Sequence, residues 1–353
     1  MTTQRPLFPA GIVGSMPRSQ FVRDLLDPDK TPADPVDFKK RMDAAVDYIL
    51  ALQESAGLDI VSDGEYRRRS YIGIISDVCD GFLLERKEGV WWHTVVEPMR
   101  HSRPGLAAQE AAYLRSRTTR MIKVALPSPY LLGTRMWDAE RSSAAYSTRE
   151  KFMEALVPIL RKELELLVEA GADIVQFDDP HLCLFVDANV RAKFDNPSRE
   201  VDLCVGLLNQ ILDGVKGVTT AVHLCRRNKA RSGWVGEGGY DPILDGLKRL
   251  NVNQYVMEFT IPVAGDLSVL RELPEDRSVG LGCVDCRGET IDSPELIVDR
   301  VEKALQHISP DRVYLNPDCG FAPGNAAEIP IDEAYAKLSN EAEAAKRLRA
   351  RYG

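Results

Sequence analysis

The chain has 353 residues, of which 44% are hydrophobic and 28% are charged, and its formal net charge is -8. This composition is typical of a water-soluble folded protein, and the negative charge argues against proteins that bind nucleic acids or anionic membranes. The apolar runs are too short and too often broken by proline to span a bilayer, no secretion signal is visible, and the seven cysteines have no disulfide-like spacing, so we expect a cytoplasmic protein.

Eight short apolar runs have the character of buried parallel strands, at residues 10–15, 58–65, 121–128, 172–179, 218–225, 254–259, 278–285 and 312–319. Helical patterns separate them, as in residues 37–57 and 149–171, which both end at a glycine. Eight such units predict an α/β fold, a (β/α)8 TIM barrel, with residues 1–353 as a single domain. An open doubly wound sheet is the alternative, but no G-x-G-x-x-G motif follows an early strand.

One insertion interrupts the barrel pattern at about residues 80–117, after the second predicted strand. Its sequence GFLLERKEGVWWHTVVEPM contains two strand-like runs around Lys87, Glu88 and Gly89. This pattern predicts a β-hairpin that turns at those three residues.

Polar side chains stand at the ends of the predicted strands, where Val and Ile would otherwise continue. Catalytic groups of a TIM barrel lie at the carboxyl ends of its strands, so these residues predict an active site. They are Ser15, Asp63, Glu65, Ser128, Asp178, Asp179, His223, Cys225, Glu258, Asp285 and Cys319.

Four of these strand-end residues have the chemistry of a metal site, namely His223, Cys225, Glu258 and Cys319. One imidazole, two thiolates and one carboxylate favour Zn²⁺ over Mg²⁺ or Ca²⁺, which prefer oxygen ligands. The His-x-Cys spacing by itself also occurs by chance, and ordinary core packing is the alternative for that pair. Its combination with a strand-end glutamate and an Asn-Pro-Asp-Cys-Gly turn favours the metal.

Six motifs resemble those of the cobalamin-independent methionine synthase family, in the same order, from about residue 11 to residue 325. They are GSMPRS, SDGEYRR, QFDDP, VHLCRRN, VMEF and LNPDCGFA. The chain is similar to the single-barrel relatives of that family. The wider group includes zinc enzymes that alkylate other thiols, such as epoxyalkane:coenzyme M transferase.

The resemblance implies a zinc-dependent methyltransferase whose partners are a small-molecule thiol and an alkyl donor, with no nucleic acid and no membrane. It assigns Zn²⁺ to the four candidate metal ligands, and it assigns the amino-acid end of homocysteine or methionine to Ser15, Glu65 and Asp178. Asp178 and Asp285 are the candidate catalytic carboxylates. A zinc-bound thiolate would attack the N5-methyl group of methyltetrahydrofolate, giving methionine, and we hypothesise that Glu258 is the ligand that the incoming thiolate displaces or weakens.

Two departures from the family pattern weaken the folate assignment. Arg287 stands where the synthases carry a histidine two residues beyond the aspartate, and an arginine cannot relay protons. Either Asp285 or a water must then protonate the leaving group, or the leaving group is not a folate amine. The tryptophan expected after the third strand is also not apparent, and neither Trp137 nor Tyr130 aligns cleanly with it.

Other interpretations remain open from the sequence. The thiol can be a different one, such as coenzyme M, with a non-folate electrophile; a lyase like uroporphyrinogen decarboxylase shares the barrel; and a structural zinc is a third alternative. Arg67, Arg68 and Arg69 can meet a substrate carboxylate, a folate tail or a sulfonate, or belong to a solvated loop. His181 is expected near the site, and the oligomeric state is open.

Overall fold

A computed structural model of the chain describes residues 5–27, 29–30, 34–87, 90–322 and 328–353. The strands in these ranges are β1 (Ile60–Val61), β2 (Asp80–Lys87), β3 (Val90–Arg100), β4 (Met121–Pro127), β5 (Ile174–Asp178), β6 (Thr219–Leu224), β7 (Gln254–Glu258), β8 (Ser278–Val284) and β9 (Val313–Pro317).

The α-helices of the same ranges lie before, between and after these strands. They are α1 (Gln20–Leu26), α2 (Pro35–Ala56), α3 (Ile74–Val78), α4 (Leu106–Arg115), α5 (Pro129–Met136), α6 (Arg149–Glu169), α7 (Pro180–Leu184), α8 (Ala188–Arg191), α9 (Pro197–Leu212), α10 (Leu244–Lys248), α11 (Pro294–Ala304) and α12 (Ile331–Tyr352). Short 3-10 helices occupy Ala230–Ser232, Asp241–Ile243, Pro262–Ala264, Leu267–Glu272 and Pro310–Arg312. None of the described helices combines the length and the apolar character that a membrane-spanning segment needs.

Seven parallel strands form a curled sheet in the order β1-β4-β5-β6-β7-β8-β9. The first predicted strand, residues 10–15, is present only as isolated bridges that join the two edges of this sheet. Ala10 pairs with Leu315 of β9, and Gly11 pairs with Ile60 of β1. The segment thus takes the eighth position of the ring, and the predicted TIM-barrel fold is confirmed.

The segment in this eighth position packs closely against β1. A Cβ atom at Gly11 would lie 2.7 Å from the Cβ of Ile60, so glycine allows the segment to approach β1. The second predicted strand is likewise shorter than expected, because the chain turns after Val61 and Glu65 adopts a left-handed φ of 59°.

The last helix fixes the same segment from outside. Arg349 of α12 donates to the carbonyl oxygens of Leu7 and Phe8 at 2.7 and 3.0 Å. The buried Glu341 carboxylate accepts from the Gly11 N–H at 3.0 Å. The position of residues 7–11 therefore depends on a helix that lies more than three hundred residues further along the chain.

The barrel interior is packed rather than open. One inward-facing apolar cluster takes residues from nearly every element of the ring, and they are Val13, Ile60, Ile174, Ala221, Val256 and Tyr314. Beside this layer, Lys123 of β4 is buried and donates to the carbonyl oxygen of Ile12 at 2.8 Å. The interior therefore supports the strand ends as a rigid layer.

The predicted insertion contains the expected hairpin, in which β2 pairs with β3 in antiparallel register. Of its predicted turn, Glu88 and Gly89 lie outside the described residues. The hairpin packs on the barrel helices: the ring of Phe82 meets that of Phe152 in α6 at 6.3 Å, and the Trp92 ring lies under Arg135 of α5. The insertion is therefore attached to the sector of the ring around β4.

Candidate metal centre and substrate cavity

The register of the parallel strands places the predicted site residues at the same end of the barrel, side by side. Asp178 at the end of β5 is opposite Pro127 of β4 on one side and His223 of β6 on the other. A cavity of about 260 Å³ opens above these strand ends. Its wall is formed by Val13, Gly14, Ser15, Arg18, Glu65, Ser70, Tyr71, Arg135, Asp178, Pro180, His223, Cys225, Arg227, Asn228, Cys319, Gly320 and Ala322.

The four candidate metal ligands converge, and three of them, all except Glu258, line this cavity. One ligand atom from each of His223, Cys225, Glu258 and Cys319 lies within 4.8 Å of the others. The sulfur atoms of Cys225 and Cys319 are 3.4 Å apart. Two strands and one loop, distant in sequence, therefore present one compact set of N, S and O donors.

One ring nitrogen of His223 has no hydrogen-bond partner among the described residues. Its Nδ1 lies 3.3 Å from the carbonyl oxygen of Val256, which fixes the ring by a hydrogen bond to a neighbouring strand. Its Nε2 is buried and has no hydrogen-bond partner among the described residues. A buried nitrogen without a partner is costly, whereas metal-binding histidines regularly bond a carbonyl through the other ring nitrogen. The donor set and this nitrogen fit a Zn²⁺ ion.

Charges within the cluster favour binding of a cation. The hydrogen bond from Cys319 lowers the pKa of the Cys225 thiol well below its ordinary value, and the His223 imidazole lowers it further. Burial alone would lower the pKa of His223, but the neighbouring Cys225 raises that pKa to about 9. The cluster thus holds a thiolate that a metal ion can coordinate.

Glu258 is fully buried and both of its oxygens are engaged. Its Oε1 accepts from the backbone N–H of Arg226 at 2.9 Å, and its Oε2 accepts from Arg287 Nη2 at 2.5 Å. Burial, followed by the charge of Cys225, raises its pKa to about 8. Arg287, which stands where the synthases carry a histidine, is the buried ion-pair partner of this candidate ligand.

Asp318 completes the support of the metal cluster and was not singled out from the sequence. Its Oδ2 accepts from Arg287 Nη1 at 3.2 Å, and its Oδ1 accepts from the backbone N–H groups of Phe259 and Thr260 at 3.0 and 3.1 Å. These bonds hold the chain just after Glu258. The available signal was its place beside Cys319 in the LNPDCGFA motif.

The three predicted substrate residues, Ser15, Glu65 and Asp178, all line the cavity. A Cβ at Gly14 would lie 2.7 Å from Glu65 Oε1, so a glycine leaves room for that carboxyl group. Burial raises the pKa of Glu65 to about 7, and the charge of Asp178 contributes to the rise. Burial also raises the pKa of Asp178, although Gln176 donates to it at 2.8 Å. Two desolvated carboxyl groups therefore face one space.

Asp285 is not brought to the cavity wall, so its placement does not support a catalytic role. Its carboxylate accepts from the backbone N–H groups of Arg287 and Gly288 at 2.8 and 3.0 Å, and so stabilises the turn after β8. Trp137 and Tyr130 are also absent from the wall. Neither can replace the missing tryptophan there.

None of the three consecutive arginines, Arg67, Arg68 and Arg69, lines the cavity. Arg67 pairs with Asp43 at 2.7 Å and Arg68 with Glu110 at 3.0 Å, while Arg69 donates to a backbone carbonyl at the end of α1. These side chains tie the segment after β1 to its surroundings. None of the three meets a substrate in this arrangement.

Six polar residues of the cavity wall were missed from the sequence: Arg18, Ser70, Tyr71, Arg135, Arg227 and Asn228. Three of them lie inside the motifs GSMPRS and VHLCRRN, which was the available signal. Ser70, Tyr71 and Arg135 lie outside these motifs, and only the fold places them at the site.

Comparison with known proteins agrees with this architecture. The chain matches the family described as "Cobalamin-independent synthase, Catalytic domain" over residues 8–347. The methionine synthase of Pyrococcus furiosus is 27% identical over 98% of this chain and 94% of its own length, and that of Pyrococcus abyssi is 28% identical over the same shares.

A solved structure shares the fold. The B12-independent methionine synthase from Shewanella sp. W3-18-1, in complex with selenomethionine, superimposes with a TM-score of 0.81 at 25% identity, over 98% of both chains. The predicted resemblance is thus confirmed across nearly the whole chain. The protein belongs to the cobalamin-independent methionine synthase family.

Proposed function

We propose that this protein is a zinc-dependent methyltransferase that forms methionine from homocysteine without cobalamin. The observation that carries the proposal is the cluster of His223, Cys225, Glu258 and Cys319, whose imidazole Nε2 has no partner among the described residues, beside a cavity lined by two buried carboxyl groups. The names of the relatives support methyl transfer to homocysteine. The Shewanella neighbour, in complex with selenomethionine, is consistent with an amino-acid ligand.

The four residues of the cluster would hold the zinc ion. Zn²⁺ bound there lowers the pKa of a coordinated thiol, so that the thiol is a thiolate and a nucleophile at neutral pH. Glu258 differs from the other three donors because Arg287 already binds one of its oxygens. That ion pair offers the carboxylate an alternative partner, which supports the expectation that Glu258 is the ligand released when a substrate thiol arrives.

Glu65 and Asp178 would bind the α-ammonium group of the amino acid. Both carboxyl groups are desolvated, and desolvated carboxylates bind a cation more strongly than exposed ones do. Ser15 lines the same end of the cavity. This end therefore selects a substrate that carries a positive charge a short distance from its thiol.

The carboxyl groups of Glu65 and Asp178 also argue against the alternative thiol substrate. A coenzyme-M-like acceptor carries a sulfonate where homocysteine carries its amino-acid group, and two carboxylates repel a sulfonate. This argument favours homocysteine over that alternative.

The proton for the leaving group would come from water at the open side of the cavity. Asp285 is engaged in its own turn and Arg287 is bound to Glu258, so neither residue faces the cavity. A solvent-derived proton needs no residue in the position where the synthases carry a histidine.

The test is methionine formation by the purified, zinc-loaded protein from homocysteine and N5-methyltetrahydrofolate with cobalamin absent. We expect turnover by the native chain and none by Cys225→Ser. If a protein that retains zinc makes no methionine, the assignment to this donor and acceptor is overturned. If the protein binds no zinc, the metal assignment fails first.

A further inference from the structure

Two guanidinium groups in the cavity wall have no anionic partner in the part of the chain that the structure describes. Arg135 and Arg227 both line the cavity, and neither forms an ion pair with any residue that the structure describes. Arg18 in the same wall differs, because it donates to the backbone carbonyls of Glu65 and Arg68 at 2.6 and 3.3 Å. Two partly buried positive charges without a counter-ion destabilise a protein. Their presence in a cavity wall therefore indicates that they bind an anionic ligand.

The two arginines lie over the sector from β4 to β6. Arg227 follows β6 in a left-handed conformation with a φ of 58°, and Arg135 is in the last turn of α5, which follows β4. In the ring order, β6 is four positions from the segment that carries Ser15. Arg227 is therefore across the ring from that residue.

The hairpin holds one of these cations in place. The guanidinium of Arg135 stacks on the ring of Trp92 in β3, 4.3 Å from its centroid. Its buried Nε–H donates to no residue that the structure describes. The flat face of the group is thus covered by the indole, while its edge remains available for an oxyanion.

Neighbouring groups show that the two charges act on one region. Burial, followed by the charges of Arg227 and Arg135, lowers the pKa of His181 to about 3, so this imidazole stays neutral. Its Nε2 is buried and unpartnered within the described structure. A neutral imidazole near the two guanidinium groups adds a hydrogen-bonding group without a third charge.

The amino-acid end of the cavity is separate from this region. The charges that act most strongly on Glu65 are those of Arg68, Asp178 and Arg18, not those of Arg135 or Arg227. The α-carboxylate of an amino acid is close to its ammonium group, so it must lie near Glu65. The unpaired arginines are then left for the second substrate.

We propose that Arg135 and Arg227 form a binding site for an anionic group of the alkyl donor, a carboxylate, phosphate or sulfonate. The proposal rests on the proposed function, because it assumes that the cavity takes a donor as well as a thiol. Tyr71 lies between the two ends: its electrostatic neighbours are Cys225 and Asp178 as well as Arg135 and Arg227. A donor held by the arginines would pass Tyr71 on the way to the thiol.

The first experiment measures anion binding without any turnover. Sulfate is titrated into the zinc-loaded protein at constant ionic strength, and tryptophan emission is recorded, since Arg135 stacks on Trp92. We expect a saturable change that Trp92→Phe, Arg135→Gln and Arg227→Gln each remove. Arg86→Gln is the matched control, because Arg86 stacks on the adjacent Trp91 at 4.9 Å but is half-exposed. A native response that persists in both cavity variants, or no native response, overturns the anion site.

The second experiment separates the two substrates. In the methionine assay, Arg135→Gln and Arg227→Gln are expected to raise the KM of the donor at least about tenfold and to leave the KM of homocysteine unchanged. If the KM of homocysteine rises instead, the arginines bind the amino acid and the proposal is wrong. If no methionine forms although sulfate binding is lost in both variants, the proposed function fails and the anion site stands.

Discussion

The His223 imidazole is oriented for metal binding by its own strand neighbour. Its Nδ1 faces the Val256 carbonyl, so the free nitrogen is Nε2, and the ring needs no rotation to accept an ion. The sequence identified His223 and Cys225 because strand alternation places both on one face. It did not identify the pairing of Glu258 with Arg287, since that contact joins the end of β7 to the turn after β8, and no local sequence pattern predicts it.

Substitution of Cys319 by serine is expected to remove zinc and leave the fold intact. The side chain lies at the cavity wall, and serine has nearly the same shape as cysteine but is a much weaker zinc ligand. Zinc content and circular dichroism of the purified variant measure the two effects separately. Cys204→Ser, at a buried position in α9, is the control and should retain zinc. Loss of folding in Cys319→Ser alone would instead indicate a structural metal.

Glu65→Gln is expected to raise the KM of homocysteine about tenfold or more at pH 8, because a charged hydrogen bond to the ammonium group is lost. In the native protein the pKa of Glu65 is about 7, so its carboxylate is protonated as the pH falls below that value. The native KM should therefore rise towards acidic pH, and the variant should lack that rise.

Steady-state kinetics between pH 6 and 8.5 check this expectation. Glu97→Gln, at an exposed position of β3, is the control and should follow the native pH profile. An unchanged KM in Glu65→Gln would show that another group binds the amino end.

At the scale of elements, the site depends on where the ring closes. The N-terminal segment meets the chain after β9 at Ser15: the Phe321 N–H donates to its carbonyl at 2.8 Å, and the Ala322 N–H to its Oγ at 3.3 Å. The pattern of strands and helices predicted the ring, but not that this segment would form only bridges. Its pairing involves residues that are far apart in the chain, so periodicity carries no information about its extent.

Gly320→Ala is expected to push the N-terminal segment at Ser15 away from the chain after β9. A Cβ there would lie 2.3 Å from Ser15 Oγ, which is closer than real Cβ atoms approach, and 3.0 Å from the Ser15 backbone nitrogen, which is a tight contact. We expect a loss of about 1–3 kcal/mol in the free energy of unfolding and weaker binding of homocysteine. Urea unfolding and calorimetric titration measure these effects. Gly206→Ala in α9, where nothing lies within 4 Å, should be neutral or stabilising, and equal stability of the two variants would contradict the expectation.

The position of Arg135 in the cavity wall could not be predicted from the sequence either. It belongs to the cavity because α5 follows β4 directly and because the hairpin insertion carries Trp92 to it. The hairpin was predicted from its alternating residues. Its contact with α5 was not, because the direction in which an insertion folds back is set by tertiary packing.

For the whole molecule, bound zinc is expected to act as a stabilising ligand without being required for folding. An ion that binds only the native state at about a hundred times its Kd adds about 2.7 kcal/mol to the free energy of unfolding. Thermal unfolding with zinc and with a chelator measures the difference, and Mg²⁺ at the same concentration should have no effect. Identical melting temperatures with zinc and with chelator would show that no ion binds the native chain.

The contact between α12 and residues 7–11 has a consequence for the order of synthesis. The N-terminal segment leaves the ribosome first, but Glu341 and Arg349, which fix it, are made after all four candidate ligands. The contacts that fix residues 7–11 can therefore form only once translation has passed α12. Until then Cys225 and Cys319 belong to a ring that lacks these contacts, so we expect the metal cluster to reach its final geometry after α12 has been made.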